Sequence, residues 1–574
     1  MGGPLCSVMW LFSFYQEVAK MAAKSRKSAP KRAPTSDERS DERAAAHWYV
    51  TTAIPYVNAR PHIGFALEIV LTDALARYHR LTGQRVWFLT GTDENSLKNV
   101  QAAEKEGIPT QELVDRNAAQ FAGLREPLDL SFDQFIRTST NPAHLAGVQK
   151  LWRAAAEHGD IYKRAYHGLY CVGCEQFYTE AELVDGLCPE HLTRPDVVEE
   201  ENYFFRLSNY QDQLLQLIES DQLRIEPRTR RNEVLSFIRM GLADFSISRS
   251  VARAHGWGVP VPDDPGQVMY VWFDALGNYI TALGYADDAP RYEEFWVHNP
   301  NRTHVIGKGI IRFHAVYWPA MLLSAGVPLP STIFVHGYVT VSGEKISKSL
   351  GNVIDPVELV HAYGTDAVRY YLLREIPATE DGDFTLERFV RAHNNDLADQ
   401  LGNLLNRVVS MVSRYYEGIV PEPGALEAVD RELVALADGL AGRVDVAMER
   451  FAPHEALAAI WELVAAANKY VADVEPWTLA KRRKAGGDDG AAAEARLATA
   501  LYTLVEALRL IAHYCFPFIP GAAQALAEQL GVALATDGDW ERTTRWGGYP
   551  AGTRVRPGGV LFPKLEMPTE ENDA

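Results

Sequence analysis

A chain of 574 residues with 47% hydrophobic and 23% charged side chains has the balance of an ordinary globular protein, which excludes a disordered or fibrous one, and it exceeds what a single core usually supports. Its formal net charge of −18 excludes a general polyanion binder, so any nucleic-acid site has to be local. Of its five cysteines, Cys171, Cys174 and Cys188 cluster while Cys6 and Cys515 stand alone, a pattern that suits a metal site in a reducing compartment better than a disulfide framework.

The opening run Val8 to Phe14 is short and has no basic segment before it, so it reads neither as a signal peptide nor as a membrane span, and the chain is expected to be soluble and cytoplasmic. Lys20 to Arg32 carries basic and no acidic side chains amid Ala, Ser and Pro. It reads as a solvated tail, or as a start placed before the true one at Met21, ahead of a weak RNA-contacting arm. From His47 the pattern changes. His47 to Val57 is an apolar strand, Pro61 opens a helix through Leu81, Gly83 stops it, and Val86 to Leu89 is the next strand. This order begins a doubly wound parallel sheet, whose ligands sit at the carboxyl ends of the strands. Further strands are expected at Thr303 to Ile306 and Thr332 to Val335. Between these groups a stretch rich in Cys, Gly and Tyr, from about Asp160 to Glu200, interrupts the alternation and reads as an inserted domain that splits the sheet in sequence. Beyond about Arg391 the chain turns helical, with breaks at Pro421 to Pro423 and Gly486 to Gly490, and after Arg545 it reads as an irregular strap.

Two short motifs carry chemistry. His62-Ile63-Gly64-Phe65 follows a strand and starts a helix, where amide donors and an imidazole face a site suited to phosphate, and Gly64 admits a close approach. Lys345-Ile346-Ser347-Lys348-Ser349 is a polar loop after Gly343 whose two cations can close over a phosphate as charge builds in a transition state. Each alone is weak, the first reading equally as a capping histidine and the second as an exposed basic loop. Together, in this order on opposite halves of a split nucleotide-binding sheet, they are specific.

With these motifs the sequence resembles the class I aminoacyl-tRNA synthetases, and more closely the methionyl-tRNA synthetases, over essentially everything from His47 to Lys564. The resemblance implies that His62, Gly64, Lys345, Ser347 and Lys348 bind ATP, with its Mg²⁺, and that His62, Gly64, Lys345 and Lys348 serve catalysis. It places Ile54, Tyr56, Trp272, Ala275, Leu276, Tyr279 and His314 around the side chain of L-methionine and Asp93 at its ammonium group. An aromatic and aliphatic cage suits a polarizable thioether, and a carboxylate in a partly dry cleft suits an ammonium. By itself Trp272-Phe273-Asp274-Ala275 would read as a buried core strand. In the helical region Asn403 and Arg407 stand four apart on one helix face, and Trp477 follows Glu475-Pro476 at a helix start. They resemble the family's anticodon readers, since RNA is read by stacking bases on aromatics and bonding their edges.

Cys171-Val172-Gly173-Cys174 and Cys188-Pro189-Glu190-His191 supply three sulfurs and one imidazole in two tight pairs, a closed tetrahedral zinc site. A disulfide is the alternative, and a reducing compartment disfavours it. With no open position such a zinc is structural; the family's corresponding knuckle lies near the acceptor end of tRNA. The expected fold is α/β: an N-terminal extension without fixed structure (1–45), a split Rossmann-like catalytic domain (46–151 and 256–334), an inserted zinc-knuckle domain (152–255), a linker domain with the lysine loop (335–395), a C-terminal all-α anticodon-binding bundle (396–530) and a strap (531–574). The implied activity is ATP-dependent methionylation of tRNA(Met) by a monomer with one zinc per chain and no membrane association. A related adenylating enzyme of other specificity, or a noncatalytic tRNA-binding relative, is the alternative. Three positions depart from the family pattern: Phe65 where the first signature ends in His, Asn95-Ser96 where His-Gly is usual, and Gly309 where Asp follows Gly-Lys.

Overall fold

A computed structural model describes residues 46–173, 176–178, 180–190, 192–346, 351–536, 538 and 540–567. The basic stretch Lys20 to Arg32, the run Val8 to Phe14, Cys174, His191, Ser347 and Lys348 lie outside the described residues. The central sheet is six-stranded. Its members are β1 (His47–Thr52), β2 (Arg85–Thr92), β3 (Gln134–Arg137), β4 (Arg224–Glu226), β5 (Arg302–Gly307) and β6 (Thr332–His336). They lie side by side in the order β3-β2-β1-β5-β6-β4, every pair parallel. Strand order reverses between β1 and β5, which is the switch point where a doubly wound sheet opens its ligand crevice. β1 stops at Thr52, short of Val57, because the chain turns away at Pro55; the Asp93 N–H then bonds the Pro55 carbonyl at 2.9 Å. β4 falls inside the span expected for the insertion, yet it pairs with β6, so part of that span returns to the main sheet.

Helix α1 (Ile63–Leu81) is buried along nearly all of its length because it has sheet on one side and helices on the other. Its Glu68 accepts the Ala53 N–H at 2.8 Å and meets His336 Nε2 at 2.8 Å, tying together the carboxyl ends of β1 and β6. Farther along, Asp73 forms a fully buried 2.7 Å pair with Arg369. Burial opposes the charge on Asp73, but Arg369 and Arg77 hold its carboxyl below the usual range. Arg369 also donates to the carbonyls of Leu128, Pro517 and Phe518, so one guanidinium joins the sheet domain to the C-terminal helices.

Between β3 and β5 the insertion is built on a long antiparallel pair, Ile161–Cys171 with Asp196–Phe205. Trp272 to Leu276 form a short helix, α2 (Val271–Leu276), rather than a strand. The C-terminal half is helical, with α3 (Asn403–Tyr416), α4 (Pro453–Val474), α5 (Pro476–Arg483) and α6 (Gly487–Cys515) among its members. From Thr544 to Met567 the chain forms no helix or strand beyond an isolated bridge of Arg554 to Ile419. Glu506 of α6, buried and paired with Arg509, accepts the N–H groups of Gly547, Gly548 and Tyr549 and pins this strap. Among the described residues no helix is long and apolar enough to cross a membrane.

Candidate active site

His62 caps α1. Its Nδ1 accepts the Gly64 N–H at 3.0 Å, so that nitrogen carries no proton and the neutral ring holds its proton on Nε2. Burial lowers the His62 pKa, which keeps the ring neutral at pH 7. A Cβ on Gly64 would lie 2.9 Å from the His62 ring, so glycine is what lets the imidazole fold over its own helix start. The same position is 3.9 Å from Ile346 Cδ1, which brings the lysine hairpin to the first signature although the two are far apart in sequence. Lys345 itself is exposed on the short strand Glu344–Lys345, and its carbonyl accepts from Asn352.

Next to β1 and β5, aromatic rings pack into a buried cluster. Trp272 stacks on Phe313 at 3.8 Å and 5° and meets Tyr56 edge-on at 6.4 Å. His314 Nδ1 lies 3.0 Å from the Ile310 carbonyl, which can only accept, so Nε2 is the acceptor of the Tyr279 hydroxyl at 2.7 Å. Burial pushes the His314 pKa down to about 4 against that carbonyl bond, and it pushes Tyr279 well above the usual tyrosine range, reinforced by Glu68. His304, against Tyr279 at 4.1 Å, is likewise held neutral by burial and by the neighbouring His314 and Arg302. Ile54 packs against this cluster, and Ala275 and Leu276 are buried on α2 beside Trp272.

Asp93 follows the end of β2 and is buried beside Tyr56, with which it forms an isolated parallel bridge. Asn99 donates to the carbonyls of Asp93 and Glu94 at 3.1 and 2.9 Å and fixes this turn. The structure thus gathers Ile54, Tyr56, Asp93, Trp272, Ala275, Leu276, Tyr279 and His314 at one end of the sheet, with His62 and Gly64 at the start of the adjoining helix. Asn403, Arg407 and Trp477 lie elsewhere, in the helical half. Arg407 donates to the Asn403 carbonyl at 3.3 Å and to Asn468 Oδ1 of α4 at 2.8 Å, and Trp477 on α5 is 41% exposed.

Comparison with known proteins decides the family. The model of class I tRNA synthetases (M) matches residues 48–194 and 191–409, and that of the anticodon binding domain of methionyl tRNA ligase matches 420–573. The chain belongs to the methionyl-tRNA synthetases. It is 44% identical over 526 residues to the methionine–tRNA ligase of Caldanaerobacter subterraneus subsp. tengcongensis, covering 91% of this chain and 80% of the relative. It is 48% identical over 489 residues to that of Brucella suis biovar 1, covering 84% and 92%. The Mycobacterium tuberculosis methionyl-tRNA synthetase in complex with methionyl-adenylate superposes with a TM-score of 0.85 at 45% identity, over 90% of this chain and all (100%) of that one.

Within this synthetase each departure has its own partner. Phe65 is buried and packs edge-on against Phe121 at 5.0 Å. Asn95 donates to Asp274 Oδ2 at 2.7 Å, while the other oxygen of that carboxylate takes His144 Nε2 at 2.6 Å. Gly309 lies under the Tyr338 hydroxyl. Sequence reasoning missed Phe313, His304, and the pair Arg249 and Arg253, which lines a cavity with Asn95, Tyr170, Trp257 and Tyr270. The i, i+4 spacing of the two arginines was the available signal; both stack on the Tyr170 ring, at 4.7 and 4.8 Å.

Proposed function

We propose that this synthetase joins L-methionine to ATP and passes the methionyl group to tRNA(Met) in the cytoplasm. A methionine carboxylate oxygen attacks the α-phosphorus of Mg-ATP, the bond to the β-phosphate breaks, and methionyl-adenylate and pyrophosphate result. The terminal ribose hydroxyl of tRNA then attacks the acyl carbonyl and expels AMP. No side-chain nucleophile is needed; positioning and charge stabilisation suffice. The observation that carries the reading is the aromatic cluster of Trp272, Tyr279 and His314 with the Asp93 carboxylate beside it, a polarity suited to a thioether with an ammonium at one end. His62 presents Nε2–H at the helix start, where it donates to ATP, and Lys345 and Lys348 take the charge that builds on the departing pyrophosphate. The test is methionine-dependent exchange of pyrophosphate into ATP, followed by charging of tRNA(Met); exchange driven by another amino acid, or none, overturns it.

The anticodon assignment rests on Trp477, a large exposed aromatic on the same half as Asn403 and Arg407. Trp477→Ala is expected to lower tRNA charging about tenfold or more, the worth of a lost base–aromatic stack of about 1–3 kcal/mol. Pyrophosphate exchange stays nearly intact, because α5 is remote from the adenylation site. Equal loss in both assays would make Trp477 a packing residue.

The insertion fits a structural zinc. Cys171 and Cys188 are buried and form no disulfide, and among the described residues they share a small cluster with Tyr178 and Leu183. So small a core needs a staple. Among the described residues no three candidate ligands gather, and Cys174 and His191, which would complete the set, are not among them. Bound zinc would cross-link the two turns. Elemental analysis is expected to find one zinc per chain. Cys171→Ser loses it, opens the insertion to protease and impairs charging more than exchange, whereas metal-free protein prepared without chelator refutes the site.

A further inference from the structure

Residue 309 has no room for a side chain. A Cβ built on Gly309 would lie 2.2 Å from the Tyr338 hydroxyl oxygen and 3.6 Å from the ring carbon that bears it. The obstruction is therefore the hydroxyl alone, not the ring. Burial holds the Tyr338 phenol above its ordinary range, so the hydroxyl facing Gly309 keeps its proton and can donate it. Two contacts, themselves linked, hold Tyr338 there. Lys308 Nζ sits 4.7 Å from its ring centroid, Asp381 takes Lys308 at 2.6 Å, and Asp381 also accepts the Tyr338 N–H at 2.9 Å.

The place of this contact gives it a use. Gly309 follows β5 and Tyr338 follows β6, so both lie outside the carboxyl ends of parallel strands, where such sheets bind ligands. Tyr338 also leads directly into the strand Val339–Val341, which pairs with Glu344–Lys345 of the lysine hairpin. We propose that Tyr338 is an ATP-positioning residue whose hydroxyl fills the space, and takes over the polar contact, that a side chain at 309 would otherwise supply. This rests on the adenylation reading above. A carboxylate there would accept hydrogen bonds and repel a polyphosphate, whereas the phenol donates one to an ATP oxygen and carries no charge.

The assignment makes the two positions interdependent, and pyrophosphate exchange on the full-length chain tests it. Tyr338→Phe is expected to raise KM for ATP about three- to tenfold, the scale of one uncharged hydrogen bond, with KM for methionine unchanged. Gly309→Asp raises KM for ATP further by displacing the hydroxyl, and Gly309→Ala, which adds only the Cβ, does so in the same direction. Combining Gly309→Ala with Tyr338→Phe costs no more than Tyr338→Phe alone, because the nearest ring atom is then in ordinary contact with the added Cβ. An unchanged KM for ATP in Tyr338→Phe, a parallel rise in both KM values, or a double variant no better than the product of the two singles overturns the proposal. An unaltered chain inactive in methionine-dependent exchange would instead overturn the adenylation reading.

Discussion

His62→Ala lowers the rate of methionine-dependent pyrophosphate exchange by about 100- to 1,000-fold, the usual cost of removing one preorganised donor from a site of developing charge. The expectation follows from the tautomer. Nδ1 is committed to the Gly64 N–H, so the ring offers its one remaining group, Nε2–H, toward the helix start. Alanine also removes an N-cap, which costs about 0.5–2 kcal/mol of stability and confounds a simple reading of lost activity. His62→Asn separates the two roles. Asparagine keeps an acceptor able to cap α1 and has no donor at the Nε2 position, so thermal stability is retained while exchange remains as slow as in His62→Ala. Should His62→Asn recover the rate, the histidine would be a cap and nothing more.

Much of this site was legible because its parts lie at points where sequence pattern and geometry coincide. A strand, then His-Ile-Gly, then an apolar helix places an imidazole at a helix start with few alternatives, and His62 is there as the N-cap. The strands at Thr303 and Thr332 were visible as apolar β-branched runs and occur as β5 and β6. What pattern did not show is what depends on contacts across the sheet. β4 is three residues long and carries too little periodicity to be seen. Trp272 to Ala275 read by themselves as a buried core strand, because a short apolar run has no decisive period; they are helical instead, as the Phe273 and Asp274 N–H groups bond back to the Tyr270 carbonyl. His304 was invisible as a pocket residue because it lies within β5, where alternation marks it only as inward-facing.

The three departures from the family pattern illustrate the same limit. From sequence they are visible only as three departures from the family pattern. The geometry separates them: Phe65 lies in the apolar core against Phe121, Asn95 belongs to the Asp274–His144 group, and Gly309 belongs to Tyr338. Because no two share a partner, restoring one residue does not depend on restoring the others. An imidazole at position 65 would enter an apolar contact and leave a buried nitrogen in need of a bond.

Asp93→Asn raises KM for methionine by about 30-fold or more, since truncating one member of a desolvated charge pair costs roughly 2–5 kcal/mol. The carboxylate stands where β2 ends, beside an aromatic cluster whose His304 and His314 are held neutral by burial, and the other carboxylate near Tyr279, that of Glu68, is already engaged by the Ala53 N–H and His336. Loss of fold is not the expected cause. The Asp93 backbone is held by its own N–H to the Pro55 carbonyl and by Asn99 on its carbonyl, contacts that an asparagine side chain leaves intact. KM for ATP should therefore change little. A methionine analogue without the amino group gives an independent readout. It fills the thioether pocket but has no ammonium, so its inhibition of exchange is expected to be equal in the parent and in Asp93→Asn. If the variant weakened the analogue as much as methionine, Asp93 would be shaping the pocket rather than holding the ammonium, and the charge pairing would be wrong.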